Sequence, residues 1–282
     1  MAGSSTAETV KVFFLSDSTG ISAETMGNAL LLQFPDLAFE RRSIPFITTV
    51  AEAGRVVDVL DEAADAGSAL AFSTAAVDDV RHELQRTRCP LIDLFDLHMR
   101  RVESVLGRPG IRQAARLHGM GDVKRYNTRM AAVEYALEHD DGQSLRALDK
   151  ADVILLAPSR CGKTPTAMYL ALQHGLFVAN YPLVDEDLES PALPAPVRGL
   201  EERCFGITTS PRRLAQVREQ RRPNSRYADL AQCTAELRRA GRLFAVHGVP
   251  VVDSSTRSVE EMATIILQTI ARRPPPETRT SA

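Results

Sequence analysis

The chain has 282 residues, 44% hydrophobic and 25% charged, with a formal net charge of −2. That length supports one large core or two modest ones, and the near-neutral balance excludes the broad basic field of a nucleic-acid binder. No apolar run approaches the ~20 residues of a membrane span, so no membrane partner is expected.

Taken in chain order, the first segment has no basic stretch followed by an apolar core, so no secretory signal is expected. Lys11 to Leu15 reads as a buried strand and Ser16 to Gly20 as a turn. Residues 21–33 have a helical pattern with Met26, Ala29, Leu30 and Gln33 along one side. Thr49 and Glu52 form a capping box that opens a helix carrying Val56, Val57 and Leu60. Ala69 to Phe72 and Pro90 to Leu94 are further strands. Strands alternating with helices predict an α/β fold with a parallel sheet. Residues 107–123 are irregular and rich in Gly and Arg. A helix follows from about Lys124 to Leu137, with Tyr126, Met130, Val133 and Leu137 on one face, and stops at His139-Asp140-Asp141-Gly142.

The predicted organisation is an N-terminal α/β domain, 1–142, and a second α/β domain, 143–272, built around a phosphate-binding loop. The tail, 273–282, contains three consecutive prolines with Pro274 to Pro276 and is expected to be disordered. In the second domain, Phe177 to Asn180, Cys204 to Ile207 and Pro250 to Asp253 read as strands. Ser210-Pro211 is a cap and first helical residue. Ser258 and Glu261 form a capping box for a last helix with Val259, Met262, Ala263, Ile266 and Ile270 on its apolar face.

The most informative stretch is Ala151 to Gln173. A short apolar strand leads into Ala157-Pro158-Ser159-Arg160-Cys161-Gly162-Lys163-Thr164 and then a helix. This is the context of a G-x-x-x-x-G-K-[ST] loop, in which backbone N–H groups cradle phosphate. Lys163 is the expected catalytic cation and Thr164 the expected Mg²⁺ ligand. Ala157 stands where that pattern has glycine.

Four carboxylates are available as a base or metal partner: Asp17, Asp140, Asp141 and Asp253. Asp253 ends a short apolar strand, the form taken by the metal-side Asp of nucleotide-hydrolysing folds. Asp17 lies in the turn after the first strand, where ligands of open α/β sheets gather, and that turn either holds phosphate or only caps the next helix. His139 beside Asp140 and Asp141 could move protons, but the spacing fits a plain helix terminus better. Arg212, Arg213, Arg218, Arg221, Arg222 and Arg226 read as a solvated helix face. The cysteines, Cys89, Cys161, Cys204 and Cys233, contain no C-x-x-C pair, so neither zinc nor disulfides are expected and the chain reads as cytoplasmic.

Five segments together resemble the pyruvate, phosphate dikinase and phosphoenolpyruvate synthase regulatory protein family. They are FFLSDSTGISAETMGNALLLQFP, RYNTRMAAVEYALEHDDG, VILLAPSRCGKTPTAMYLALQHGLFVANYP, RRPNSRYADLAQC and SVEEMA, in that order between Phe13 and Ala263. The SRCGKTPT form resembles the phosphoenolpyruvate synthase branch. The resemblance implies a bifunctional serine/threonine kinase and phosphorylase, with phosphoenolpyruvate synthase as protein substrate. It implies ADP as donor for phosphorylation of a threonine, inorganic phosphate as co-substrate of the pyrophosphate-forming reversal, and a homodimer. The family's nucleotide segment falls on Ala157 to Thr164, with Gly and Val usual where Ala157 and Pro158 stand. For the phosphate of the reverse reaction, the Ser16–Gly20 turn, His118 and His139 are the candidates. Alternative readings are an ATP-dependent small-molecule kinase and a non-catalytic nucleotide sensor that inhibits a partner by binding.

Overall fold

Val12 to Leu15 is a run of four apolar residues with no polar alternation, the signature of a strand covered on both faces. In the computed structural model, which describes residues 9–113, 123–142, 144 and 146–272, it is the buried half of β1 (Thr9–Leu15). The predicted tail and His118 lie outside the described residues. The chain packs as two compact units, Met1–Gly121 and Asp122–Ala282.

The first unit has a four-stranded parallel sheet in the order β2-β1-β3-β4, with β2 at Ala38–Ile44, β3 at Ala69–Ser73 and β4 at Leu91–Asp93. Successive β1 residues point to opposite faces. Val12 and Phe14 join Ala23 and Leu31 of α1 (Ile21–Leu31), while Phe13 and Leu15 join Val56 and Leu60 of α2 (Val50–Ala66). Short helices α3 (Asp78–Leu84) and α4 (Asp96–Leu106) complete the unit. The Thr49–Glu52 capping box forms as expected. The buried side of α1 is Ala23, Gly27 and Leu31, whereas Met26 and Leu30 are exposed. The larger side chains lost because a helix lying close on Phe14 and Phe72 needs small ones. The edge strand β2, AFERRSI, is mostly exposed and charged, so it gives no apolar pattern to read.

The second unit opens with α5 (Val123–Glu138) and repeats the wiring: β5 (Val153–Ala157), β6 (Val178–Pro182), β7 (Cys204–Thr208) and β8 (Val251–Asp253) run parallel in the order β6-β5-β7-β8. Its helices are α6 (Lys163–Tyr169), α7 (Asp185–Glu189), α8 (Pro211–Arg221), α9 (Leu230–Val246) and α10 (Val259–Ala271). A π-turn, Leu170–His174, continues α6. Val153 and Leu155 pack under α6 and α10, and Ile154 and Leu156 under α9. Gly206 of β7 lets the Phe244 ring lie on the strand; a Cβ there would come within 2.6 Å of it. The apolar face read for α10 is the one observed, with Met262, Ala263 and Ile266 buried.

Helix α5, which the sequence reading places before its boundary at 142, packs within the second unit. Its buried face is Ala132, Tyr135 and Ala136, followed by buried His139, with Tyr126 and Leu137 exposed. The alanines sit against Ala171, and Tyr135 meets Phe177 edge-on at 5.1 Å. Among the described residues no helix is long and apolar enough to cross a membrane.

Candidate functional site

The loop after β5 forms because the strand ends in buried Ala157 and two residues then take left-handed backbone: Arg160 at φ 72° and Gly162 at φ 103°. Glycine is needed at 162, the residue before α6, because L side chains rarely adopt that φ. It is not needed at 157. Ala157 is still strand, in register with Pro182, and its carbonyl accepts from Leu183 N at 3.0 Å. The departure from the glycine pattern therefore has no backbone consequence here.

Lys163 is 3% exposed, and its Nζ donates to the Ala157 and Pro158 carbonyls, each at 3.2 Å. Burial pulls its pKa below the ordinary 10.5, opposed by Cys161, Asp141 and Asp140. The ammonium is thus folded back on its own loop, beside two carboxylates.

Those carboxylates come from the turn after α5, and the structure brings them to the loop. Thr164 Oγ1 donates to Asp140 Oδ1 at 2.8 Å, and Asn180 Nδ2 donates to the same oxygen. The Oδ1 of Asn180 is buried with no partner among the described residues. His139 fixes the turn: Nδ1 meets the Tyr135 carbonyl at 2.8 Å and Nε2 the Arg146 carbonyl at 2.7 Å. The Asn180 N–H returns to the His139 carbonyl at 2.9 Å. Both ring nitrogens thus face main-chain carbonyls, and the ring ties together the turn that carries Asp140.

Behind the loop lies Arg218, whose side chain is 1% exposed. Its guanidinium donates twice to the Ser159 carbonyl, at 3.1 and 3.3 Å, once to the Tyr227 carbonyl, and to both carboxylate oxygens of Glu236. It also lies 4.3 Å from the Tyr227 ring centroid, and that phenol meets Ser159 Oγ at 2.9 Å. The solvated-face reading holds for Arg212, Arg221, Arg222 and Arg226, which are exposed, and fails for Arg218. A single buried Arg among five exposed ones carries no periodic signal. Asn180 and Tyr227 lay inside segments read for other features.

The other candidates sit differently. Asp253 ends β8 as expected, but its Oδ1 accepts from the Ser255 N–H at 2.8 Å and hydroxyl at 2.6 Å. Its neighbour Ser254 is the residue that touches the loop, donating to the Cys161 carbonyl at 2.9 Å. Asp17 belongs to the first unit, where its Oδ2 accepts from the Ala76 and Val77 N–H groups at the start of α3. Burial pushes the Cys161 thiol up to about 12, the reverse of activation. All four cysteines are buried, and none is joined in a disulfide. Among the described residues, no three His, Cys, Asp or Glu side chains cluster as metal ligands.

A sequence profile described as kinase/pyrophosphorylase matches residues 12–267. The chain belongs to that family. A protein of Neisseria meningitidis serogroup B is 41% identical over 259 residues, covering 91% of this chain and 95% of its own length. One from Laribacter hongkongensis is 43% identical, covering 90% and 94%. One from Legionella pneumophila is 39% identical, covering 91% and 95%. Each carries the name "Putative phosphoenolpyruvate synthase regulatory protein".

Proposed function

We propose that this chain regulates phosphoenolpyruvate synthase by reversible phosphorylation of a threonine, using ADP as donor and inorganic phosphate as acceptor in the reverse direction. The observation that carries the site assignment is the Thr164–Asp140 hydrogen bond beside buried Lys163 at the end of the Ala157–Thr164 loop. Family membership supports phosphotransfer, and the relatives' names support the partner. The ADP and threonine details come from the sequence resemblance.

In the forward reaction the β-phosphoryl group of ADP moves to the threonine hydroxyl. The bond from that phosphorus to the bridging oxygen breaks, AMP leaves, and the hydroxyl proton passes to a carboxylate. Phosphoryl transfer needs positioning and charge neutralisation more than covalent chemistry. Lys163, released from two main-chain carbonyls, is placed to neutralise the transferring phosphate. Asp140 holds Thr164, which leaves exposed Asp141 as the candidate proton acceptor. In reverse, an oxygen of inorganic phosphate attacks the phosphothreonine phosphorus, the bond from that phosphorus to the threonine oxygen breaks, pyrophosphate forms, and the threonine oxygen takes back a proton.

The Thr164 hydroxyl, the Asp140 carboxylate and the unpartnered Asn180 Oδ1 form a hard-oxygen set that suits Mg²⁺. A cation bound there would add charge stabilisation to the transferring phosphate.

Mass spectrometry of phosphoenolpyruvate synthase after incubation with this protein and ADP tests the reading. A threonine gaining one phosphate, with loss of synthase activity, is expected. Lys163→Ala should lower the transfer rate by about 10²–10³-fold, the scale of losing one preorganised electrostatic contact. An unmodified, fully active synthase in the presence of bound ADP overturns it.

A further inference from the structure

A cavity of about 170 Å³ opens beside the loop on the β7–β8 side of β5. Thr164 reaches the other way, to Asp140, whose Oδ1 also accepts from Asn180 of β6. The cavity is lined by Arg160 of the loop, Thr209 after β7, Arg213 of α8, and Ser254 and Arg257 ahead of α10. Three arginines from three separate elements thus line one small concavity, beside apolar residues such as Pro165, Leu214 and Met262, on a chain whose net charge is −2.

Two of them are tethered without being used up. Arg213 Nη1 donates to the Ser255 carbonyl at 2.6 Å and Arg257 Nη1 to the Asp253 carbonyl at 3.2 Å. A guanidinium has five N–H donors, so each retains others. The nearby carboxylate, Asp253, is turned onto Ser255 and offsets one of the three charges.

Thr209 is 8% exposed, and its Oγ1 is a buried hydroxyl with no partner among the described residues. Buried polar groups are normally satisfied, so an orphan hydroxyl in a cationic wall marks where a bound acceptor belongs. The position agrees with topology. β5 pairs with β6 on one side and β7 on the other, which makes the carboxyl ends of β5 and β7 the switch point of this sheet. Ligands of open α/β sheets bind in that crevice. The volume falls below the roughly 300–1,000 Å³ of small-molecule pockets, too small for a nucleoside.

We propose that this cavity is a separate oxyanion site for free inorganic phosphate, formed by Arg160, Arg213, Arg257 and Thr209. As a deepening of the proposed reverse reaction it rests on the loop's being the phosphotransfer site. Arg160 belongs to that loop, while Arg213, Arg257 and Thr209 lie outside it and carry the anion site independently. His139 and the Ser16–Gly20 turn are then not needed for phosphate.

Calorimetric titration of the full chain with sodium orthophosphate, at constant ionic strength in chloride buffer, is the test. Saturable binding is expected, weakened at least tenfold in Arg213→Gln/Arg257→Gln and several-fold in Thr209→Val, with ADP affinity within twofold of the parent. Lys163→Ala should do the opposite, losing ADP and keeping phosphate. Both arginines are exposed, and circular dichroism verifies the fold of each variant. Absent saturable phosphate binding by the folded parent overturns the proposal. So does an equal loss of ADP and phosphate in the arginine variant, which would make the cavity part of the nucleotide seat. A phosphothreonine peptide binding over tenfold more tightly than orthophosphate through the same residues would replace the free ion with a protein-bound phosphate. Phosphate binding without any ADP binding would sink the loop reading and leave this site standing.

Discussion

Arg218→Met removes the buried cation behind the loop and leaves Glu236 as an uncompensated charge whose side chain is 11% exposed. Breaking a buried pair from one side costs about 3–5 kcal/mol. A unit of this size shifts its midpoint by roughly 2–4 °C per kcal/mol, so the expected fall in Tm is about 6–20 °C. The double variant Arg218→Met/Glu236→Leu replaces the pair with apolar groups of similar volume and should recover most of that loss. ADP affinity should not recover, because the Ser159 carbonyl has lost both guanidinium bonds in either variant. Urea unfolding followed by circular dichroism, with ADP titration of each protein, reads both effects. A single variant within 1 kcal/mol of the parent, or a double variant no more stable than the single, refutes the reasoning.

Gly206→Ala drives a methyl group into the Phe244 ring and should destabilise by about 1–3 kcal/mol, read by denaturant midpoint; an unchanged midpoint would show the ring yields freely. The Lys163 pKa is lowered on folding, so between that value and 10.5 the unfolded chain binds more protons and this group's contribution to stability rises with pH. The stability difference between the parent and Lys163→Met should climb across that window and level off above 10.5, and a flat difference contradicts the burial argument. Native protein should show no fast thiol reaction with a disulfide reagent at about pH 8, whereas the urea-unfolded chain should titrate all four cysteines. One rapidly reacting native thiol, mapped by peptide mass spectrometry to Cys161, would show that Cys161 is not sealed.

The strands were legible where both sheet faces are covered, because Val12 to Leu15 and Val153 to Ala157 then become continuous apolar runs. The charged edge strand β2 was not, since only backbone pairing with β1 defines it. Helix faces were read well for α10, where large apolar residues do the packing. They were misread for α1 and α5, where Ala23, Gly27, Ala132 and Ala136 permit close approach and the larger residues face outward. At the site, the loop and its Lys163 stood out because phosphate-loop spacing is local. The Asp140 contact did not, as it joins residues 24 apart through a turn that also looks like an ordinary helix end. Thr209 was silent for the same reason: an unmet hydroxyl is a property of its surroundings.

The repeated strand order has a consequence for how the two halves differ. After β1, as after β5, the chain turns through a left-handed glycine, Gly20 or Gly162, directly into a helix. Beneath the first of these, Ser16, Asp17, Ser18, Thr19 and Thr74 line a cavity of about 340 Å³ with Met26 and Phe95, and among the described residues no lysine or arginine lines it. Among the described residues, the first half has the mould of the second without its cations. A shared backbone plan has thus been given two chemical dialects, one written in cations and one in hydroxyls, and exchanging the loops between halves would ask whether the plan or the lettering decides what each will hold.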